Sequence, residues 1–272
     1  MNSKHQVGTA ENSVAGAQTL LRALDILDCF VEDGGGTLTL AEISRRVGLT
    51  APTTHRLVKA LISRGFVVGD VSRRYGLGPA VMRLASVVMH RADDLIAVAM
   101  PTLERLRMAT GETVSLHCRV GDERVCVAEL ISSEPIRMES GIGRIYPIYA
   151  GAAGKAMLAW LPDAYETVRL RLDQVGPATI TDPAALDSEL RRIRKRGYAV
   201  SESEVVAGAA SLAMPIFGGN GAVIAAVNIA GPSMRLNRSK LAKCRDELRR
   251  EVESLTAVMA SSPAHGGVRS VR

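Results

Sequence analysis

The sequence predicts an α+β chain in two parts, a small helical head followed by a larger domain of mixed strands and helices on a mainly antiparallel sheet. Three observations predict it. At 272 residues the chain is long enough for two domains. Its first third alternates short apolar-periodic helical segments with glycine stops, whereas the rest mixes strand-like runs with helices. The charge is also uneven. Net charge is +6 and the pI about 9.4, yet residues 34–91 hold nine Lys or Arg against Glu42 and Asp70, so +7 sits in that stretch. A local basic face favours a polyanionic partner.

Residues 1–16 read as a disordered leader, without the apolar core of a signal peptide. A helix from about Ala17 carries Leu20, Leu24, Leu27 and Val31 at i, i+4, i+7 and i+11, an apolar stripe that the Gly34-Gly35-Gly36 run terminates. Thr39-Leu40-Ala41-Glu42 has the form of a capping box, opening a short helix to about Val47 that Gly48 stops. Thr50 is placed to cap a third helix with Pro52 in its first turn. That helix runs to about Arg64 and is expected to bury Leu57, Ala60 and Leu61. Phe66–Val68 and Tyr75–Leu77 flank a turn carrying Arg73 and Arg74, which reads as a hairpin. Pro79 opens a linker helix to about Ala92, with a separate helix over Leu95–Thr110. Strands are expected at Thr113–Val120, Arg124–Ile131, Ala199–Val206, Ser211–Phe217 and Val223–Ala230. Helices are expected at Ala152–Trp160, Pro162–Leu172, Pro183–Arg196 and Arg238–Met259. The divisions are therefore 17–79 for the head, 80–93 for the linker helix, 94–262 for the second domain and 263–272 for a disordered tail.

Helix, glycine-containing turn and helix make a helix-turn-helix, and the hairpin adds the wing. Its second helix would enter a major groove N-terminus first, presenting Thr50, Ala51, Thr53, Thr54, Arg56 and Lys59. Arg56 suits a bidentate contact to guanine. Arg45, Arg46, Arg73 and Arg74 suit phosphates or the minor groove. A head that binds protein instead would need an exposed apolar patch on the third helix.

Catalytic patterns fail. Gly154-Lys155 lacks the flanking residues of a phosphate loop, with Tyr149 and Ala156 where Gly and Ser or Thr are required. Glu202 and Glu204 alternate along an expected strand and read as a solvated face. His117-Cys118 with Cys126 is a poor metal set, because adjacent strand residues point to opposite faces. The four cysteines have no paired spacing and read as reduced thiols. No nucleophile elbow is present and no apolar run reaches membrane length. The expectation is a cytoplasmic protein that is not an enzyme and carries no cofactor or metal.

Arg22-Ala23-Leu24-Asp25-Ile26-Leu27, Leu38–Ser44, Gly48-Leu49 through Thr53-Thr54-His55-Arg56-Leu57, and Tyr75-Gly76-Leu77-Gly78 together resemble the DNA-binding half of IclR-type regulators. Gly151–Ala156, the segment Gly197–Val200 with Glu204, Gly208 and Ser211–Pro215, and Asn228–Pro232 resemble the second half of the same family. The resemblance covers about residues 17 to 260. It implies a winged helix-turn-helix, a GAF-like effector-binding domain, a homodimer through the winged-helix domains and often a dimer of dimers. It implies an effector pocket on one sheet face lined by Gly151, Ala152, Ala153, Gly154, Ser201, Ser211, Asn228 and Ala230, with Leu130, Met138 and Ile142 as apolar wall. Some members carry an acidic residue, a Cys and two Ser where Ser201, Ser211, Asn228 and Ala230 stand, so their ligand does not transfer. Unpaired amides at the start of the Ala152 helix would form an anion site, which suggests a carboxylate. The function implied is a ligand-responsive, sequence-specific DNA-binding transcription regulator that senses a small organic or aromatic acid.

Overall fold

The computed structural model describes residues 17–33 and 35–261, without the side chains at 32, 86–94 and 260–261. The expected leader and tail, Gly34, and the side chains of His90 and Arg91 lie outside the described residues. The chain divides into two compact units between Ala92 and Asp93.

The first unit contains α1 (Gln18–Glu32), β1 (Leu38–Thr39), α2 (Leu40–Val47), α3 (Ala51–Ser63), β2 (Val67–Gly69) and β3 (Arg74–Leu77). The capping box forms. The Thr39 amide donates to Glu42 Oε2 at 2.7 Å and the Glu42 amide to Thr39 Oγ1 at 3.3 Å. Gly48 ends α2, and α3 starts after Thr50 without a side-chain cap, since the Thr50 hydroxyl donates to Thr53 Oγ1 at 3.0 Å instead. The hairpin β2–β3 gains a third antiparallel strand, β1, through Leu38 opposite Tyr75. Two residues are too few to carry an alternation pattern, so β1 was not legible.

The core of this unit is Ile26, Phe30, Leu38, Ile43, Leu57, Val58 and Val67. Two expected faces are corrected by it. On α1, Ile26 and Phe30 turn inward with Ala23 and Leu27, leaving Leu20, Leu24 and Val31 exposed. Two apolar stripes overlap on this helix, and the one holding the phenylalanine packs. On α3, Thr54, Leu57 and Val58 are buried and Ala60 is exposed.

Helix α4 (Pro79–Thr110) is continuous where two helices were expected. No glycine or proline stands between 80 and 100, so the change in composition near Asp94 is not a break.

The second unit holds β4 (Thr113–Val120), β5 (Glu123–Leu130), β6 (Ile145–Pro147), α5 (Gly151–Leu158), α6 (Pro162–Val168), α7 (Pro183–Arg196), β7 (Ala199–Glu202), β8 (Ala209–Phe217), β9 (Val223–Pro232) and α8 (Arg238–Ser261). Its six-stranded sheet runs β6-β5-β4-β9-β8-β7, with every pairing antiparallel. Alternation divides the residues between two layers. Leu116, Leu212, Val227 and Ile229 face Leu103 and Leu106 of α4 and Leu248 and Val252 of α8. Ala199, Ala213 and Ala226 face α5 and α7. Small residues on this second face let α5 settle so closely that all eight of its residues are buried. At Gly154 a Cβ would come within 2.1 Å of the Ile148 carbonyl oxygen, so no side chain fits there.

Candidate functional site

The exposed face of α3 is built by default. Thr54, Leu57 and Val58 turn inward, which leaves Ala51, His55, Arg56 and Lys59 outward. Thr53 is half-buried, and Arg45 at the end of α2 is exposed. Thr54 is not available to a groove. It is fully buried and its hydroxyl donates to the Thr50 carbonyl at 3.1 Å. Two of the expected arginines are held inside the unit. Arg46 donates to the Cys29 carbonyl at 3.1 Å and pairs with Asp33, tying α2 to α1. Arg74 donates to Thr37 Oγ1 at 2.9 Å and to the Thr37 carbonyl. Arg73 is presented instead. Asp70 Oδ1 accepts from Ser72 Oγ at 2.7 Å and from the Arg74 amide at 2.9 Å, and this turn lifts Arg73 out at φ +60°.

A cavity of about 80 Å³ lies on the α5 side of the six-stranded sheet, room for several waters or one small organic ligand. It brings together Met138, Gly151, Ala152, Ala153, Ser201, Ser211, Asn228 and Ala230 of the residues singled out in the sequence. Three others lie elsewhere. Leu130 packs into the layer beneath α4 and α8, because Glu129 takes the cavity-side position next to it. Ile142 is 64% exposed on the loop before β6, and Gly154 lies beneath the Ile148 carbonyl. Glu129 holds the covering loop by accepting from the amides of Ser140 at 2.6 Å and Gly141 at 3.0 Å.

The charged residues of the cavity were not anticipated. Glu204 lies past the end of β7 and is buried, not solvated. One carboxylate oxygen pairs with buried Lys155, and the other accepts from the Gly151 amide at 3.1 Å. The first amide of α5 is thus already taken by the protein's own carboxylate, which places a negative charge where the sequence suggested an open anion site. Gly151, at φ +80°, opens that turn.

Arg124 on β5 is 6% exposed and lines the cavity. Its Nη1 donates to His117 Nδ1 at 2.9 Å, and the guanidinium stacks 4.5 Å above the Tyr146 ring. An arginine only donates, so His117 Nδ1 is the acceptor and Nε2 carries the proton. Nε2 then donates to Ser115 Oγ at 3.0 Å. Burial first, and the Arg124 charge second, hold His117 well below the usual imidazole range, so it is neutral. Burial lowers Arg124 to about 10, which leaves it charged at neutral pH. Alternation over Arg124 and Cys126 was the readable signal, but it breaks at the register shift beyond Cys126, where Ala128 and Leu130 turn to the other layer.

Among the described residues no cluster of His, Cys, Asp or Glu could hold a metal ion, and no helix is long and apolar enough to cross a membrane.

Comparison with known proteins covers both units. Residues 19–71 match the IclR helix-turn-helix domain, and residues 87–257 match the bacterial transcriptional regulator IclR C-terminal domain. The chain is 35% identical over 255 residues to the HTH-type transcriptional regulator BhcR of Paracoccus denitrificans, covering 92% of this chain and 90% of that one. It is 34% identical over 231 residues to the HTH-type transcriptional repressor AllR of Escherichia coli, covering 83% and 84%. It is also similar to the crystal structure of an IclR homolog from Microbacterium hydrocarbonoxydans complexed with 4-hydroxybenzoate, with a TM-score of 0.74, 26% identity and coverage of 90% and 100%. The same family meets the basic helix-turn-helix and the antiparallel domain with its cavity, and the chain belongs to the IclR family of bacterial transcriptional regulators.

Proposed function

We propose that the protein is a cytoplasmic, non-catalytic regulator that reads operator DNA with residues 17–79 and senses a small organic acid in residues 94–262, the two joined by a linker at 80–93. The observation that carries it is the pairing of an exposed basic recognition helix with a buried, charged cavity in one chain. Ala51, Thr53, Arg56 and Lys59 are the reading residues, and Arg45 and Arg73 are the backbone contacts. Ser201, Ser211, Asn228, Ala230 and the Gly151–Ala153 turn line the effector cavity. The 4-hydroxybenzoate bound by the Microbacterium relative makes an aromatic acid the first probe. A head directed at protein finds no support on α3, where Ile62, at 39% exposed, is the one large apolar residue showing among the described residues.

Assembly follows from α1. Leu20, Leu21, Leu24 and Val31 are between 47% and 61% exposed along one helix, and a second copy of the chain is the occupant that a two-fold operator requires.

Gel shift against the intergenic DNA upstream of the protein's own coding sequence tests the reading. The expected result is a salt-sensitive band, competed by the same DNA and not by scrambled DNA, whose midpoint moves when 4-hydroxybenzoate or a related acid is added. A band equally strong on scrambled DNA, or no band at any salt, rejects it.

A further inference from the structure

Two buried polar groups of the cavity have no hydrogen-bond partner, the Nε–H of Arg124 and the Oδ1 of Asn228. Both side chains line the cavity, and they are 6% and 5% exposed. They come from β5 and β9, on either side of β4. Between them runs one network. Arg124 donates to His117, His117 to Ser115, and the Asn228 amide donates to the same Ser115 hydroxyl at 3.4 Å. The two groups are therefore the open ends of one network whose donors converge on the Ser115 hydroxyl.

A guanidinium this buried is ordinarily matched by a carboxylate. Arg124 makes no such ion pair among the described residues. Glu204, on the same cavity wall, is bound by Lys155 and by the Gly151 amide, and Glu139 is paired with Arg137 on the exposed loop. Arg124 feels the Glu204 carboxylate through space, but among the described residues no carboxylate meets its guanidinium directly.

We propose that Arg124 is the anion-recognition residue of this cavity and Asn228 its hydroxyl-recognition residue, so that the effector is a small hydroxylated carboxylate. This rests on the reading of the cavity as the effector site, and it moves the anion from the helix N-terminus to the guanidinium. A ligand carboxylate at the first turn of α5 would meet the Glu204 carboxylate already there. At Arg124 it meets a cation and an unused N–H. A hydroxyl opposite Asn228 completes the other end, and an analogue without it leaves a buried polar group unpaired. The glycine turn serves the same arrangement. A Cβ at Gly151 would sit 3.1 Å from Arg124 Nη2, and one at Gly154 3.1 Å from Arg124 Cδ.

Calorimetric titration of the full-length protein at pH 7 tests this with lactate and 3-hydroxybenzoate, their amides lactamide and 3-hydroxybenzamide, and their deoxy analogues propionate and benzoate. At least one hydroxy acid should bind, with its amide and its deoxy analogue each at least about tenfold weaker. Arg124→Gln should weaken the acid on the order of 10- to 100-fold and leave the amide unchanged. Arg124→Lys keeps the cation and should retain part of the acid preference, which separates loss of charge from loss of fold. Asn228→Ala should abolish the preference for the hydroxyl but not that for the acid. Amides binding as tightly as acids, or an unchanged acid affinity in Arg124→Gln, overturns the proposal while the effector cavity stands. If no member of the panel binds, charged or neutral, the cavity reading falls and this proposal with it.

Discussion

Replacing Lys155 by Met is expected to cost the second unit about 3–5 kcal/mol, the typical penalty for removing one partner of a buried ion pair. Lys155 is 1% exposed in the middle of α5, and Glu204 is 6% exposed after β7. The ammonium also donates to the Val200 carbonyl at 3.1 Å. The pair therefore fastens α5 both to β7 and to the segment that follows it. Methionine fills the volume of the stem but leaves Glu204 a buried carboxylate that, among the described residues, keeps only the Gly151 backbone amide as a donor to its side chain. Adding Glu204→Gln removes the orphaned charge while keeping an acceptor for that amide, so the double variant should regain most of the loss. Such strong coupling is the mark of residues in one network. The readout is urea unfolding followed by the fluorescence of Trp160. It is the sole tryptophan of the chain and lies in this unit, edge-on to the Phe217 ring at 5.3 Å. It reports this unit whether or not the other unfolds with it. A single variant within 1 kcal/mol of wild type would show that the pair is dispensable.

The same pair shows where sequence reasoning ends. Glu204 read as a solvated strand residue because its partner lies 49 positions away on another element, and no local pattern encodes that meeting. Features set by short range were legible. They include the Thr39–Glu42 capping box, the stop at Gly48, the hairpin and the limits Pro183–Arg196 of α7. Features set by packing were not. Thr54 looks polar, yet its hydroxyl finds the Thr50 carbonyl one turn back and its methyl enters the core. Leu130 and Glu129 differ by one residue, and that single step decides which side of the sheet each serves. The family resemblance located the small residues of the cavity wall, because those are constrained by the close approach of α5. It did not locate Arg124, whose role depends on His117, a diagonal neighbour on the adjacent strand.

Arg56→Ala is expected to remove sequence discrimination, lowering specific affinity roughly 10- to 100-fold per half-site while scrambled DNA is bound much as before. Arg56 is exposed in the first half of α3, on the face that core packing leaves outward. A recognition helix reads bases from that part of its length, and a guanidinium there can meet both acceptors of a guanine. Lys59, one turn further on and also exposed, suits a phosphate. Lys59→Ala should weaken all DNA about equally and make the salt dependence shallower by about one unit of slope. Arg46 and Arg74 give the contrasting result, although they belong to the same basic stretch. Their guanidinium groups hold α1 to α2 and the wing to Thr37, so alanine there should lower thermal stability and leave the ratio of operator to scrambled affinity intact. Fluorescence anisotropy at several salt concentrations, on operator and scrambled duplexes, separates the three behaviours. An unchanged ratio in Arg56→Ala takes that residue out of the reading set. A collapsed ratio in a folded Arg74→Ala would mean that the contact to Thr37 is exchanged for DNA on binding. Net charge cannot tell these arginines apart, since each adds one unit to the same face, and only the partner that each guanidinium holds does so.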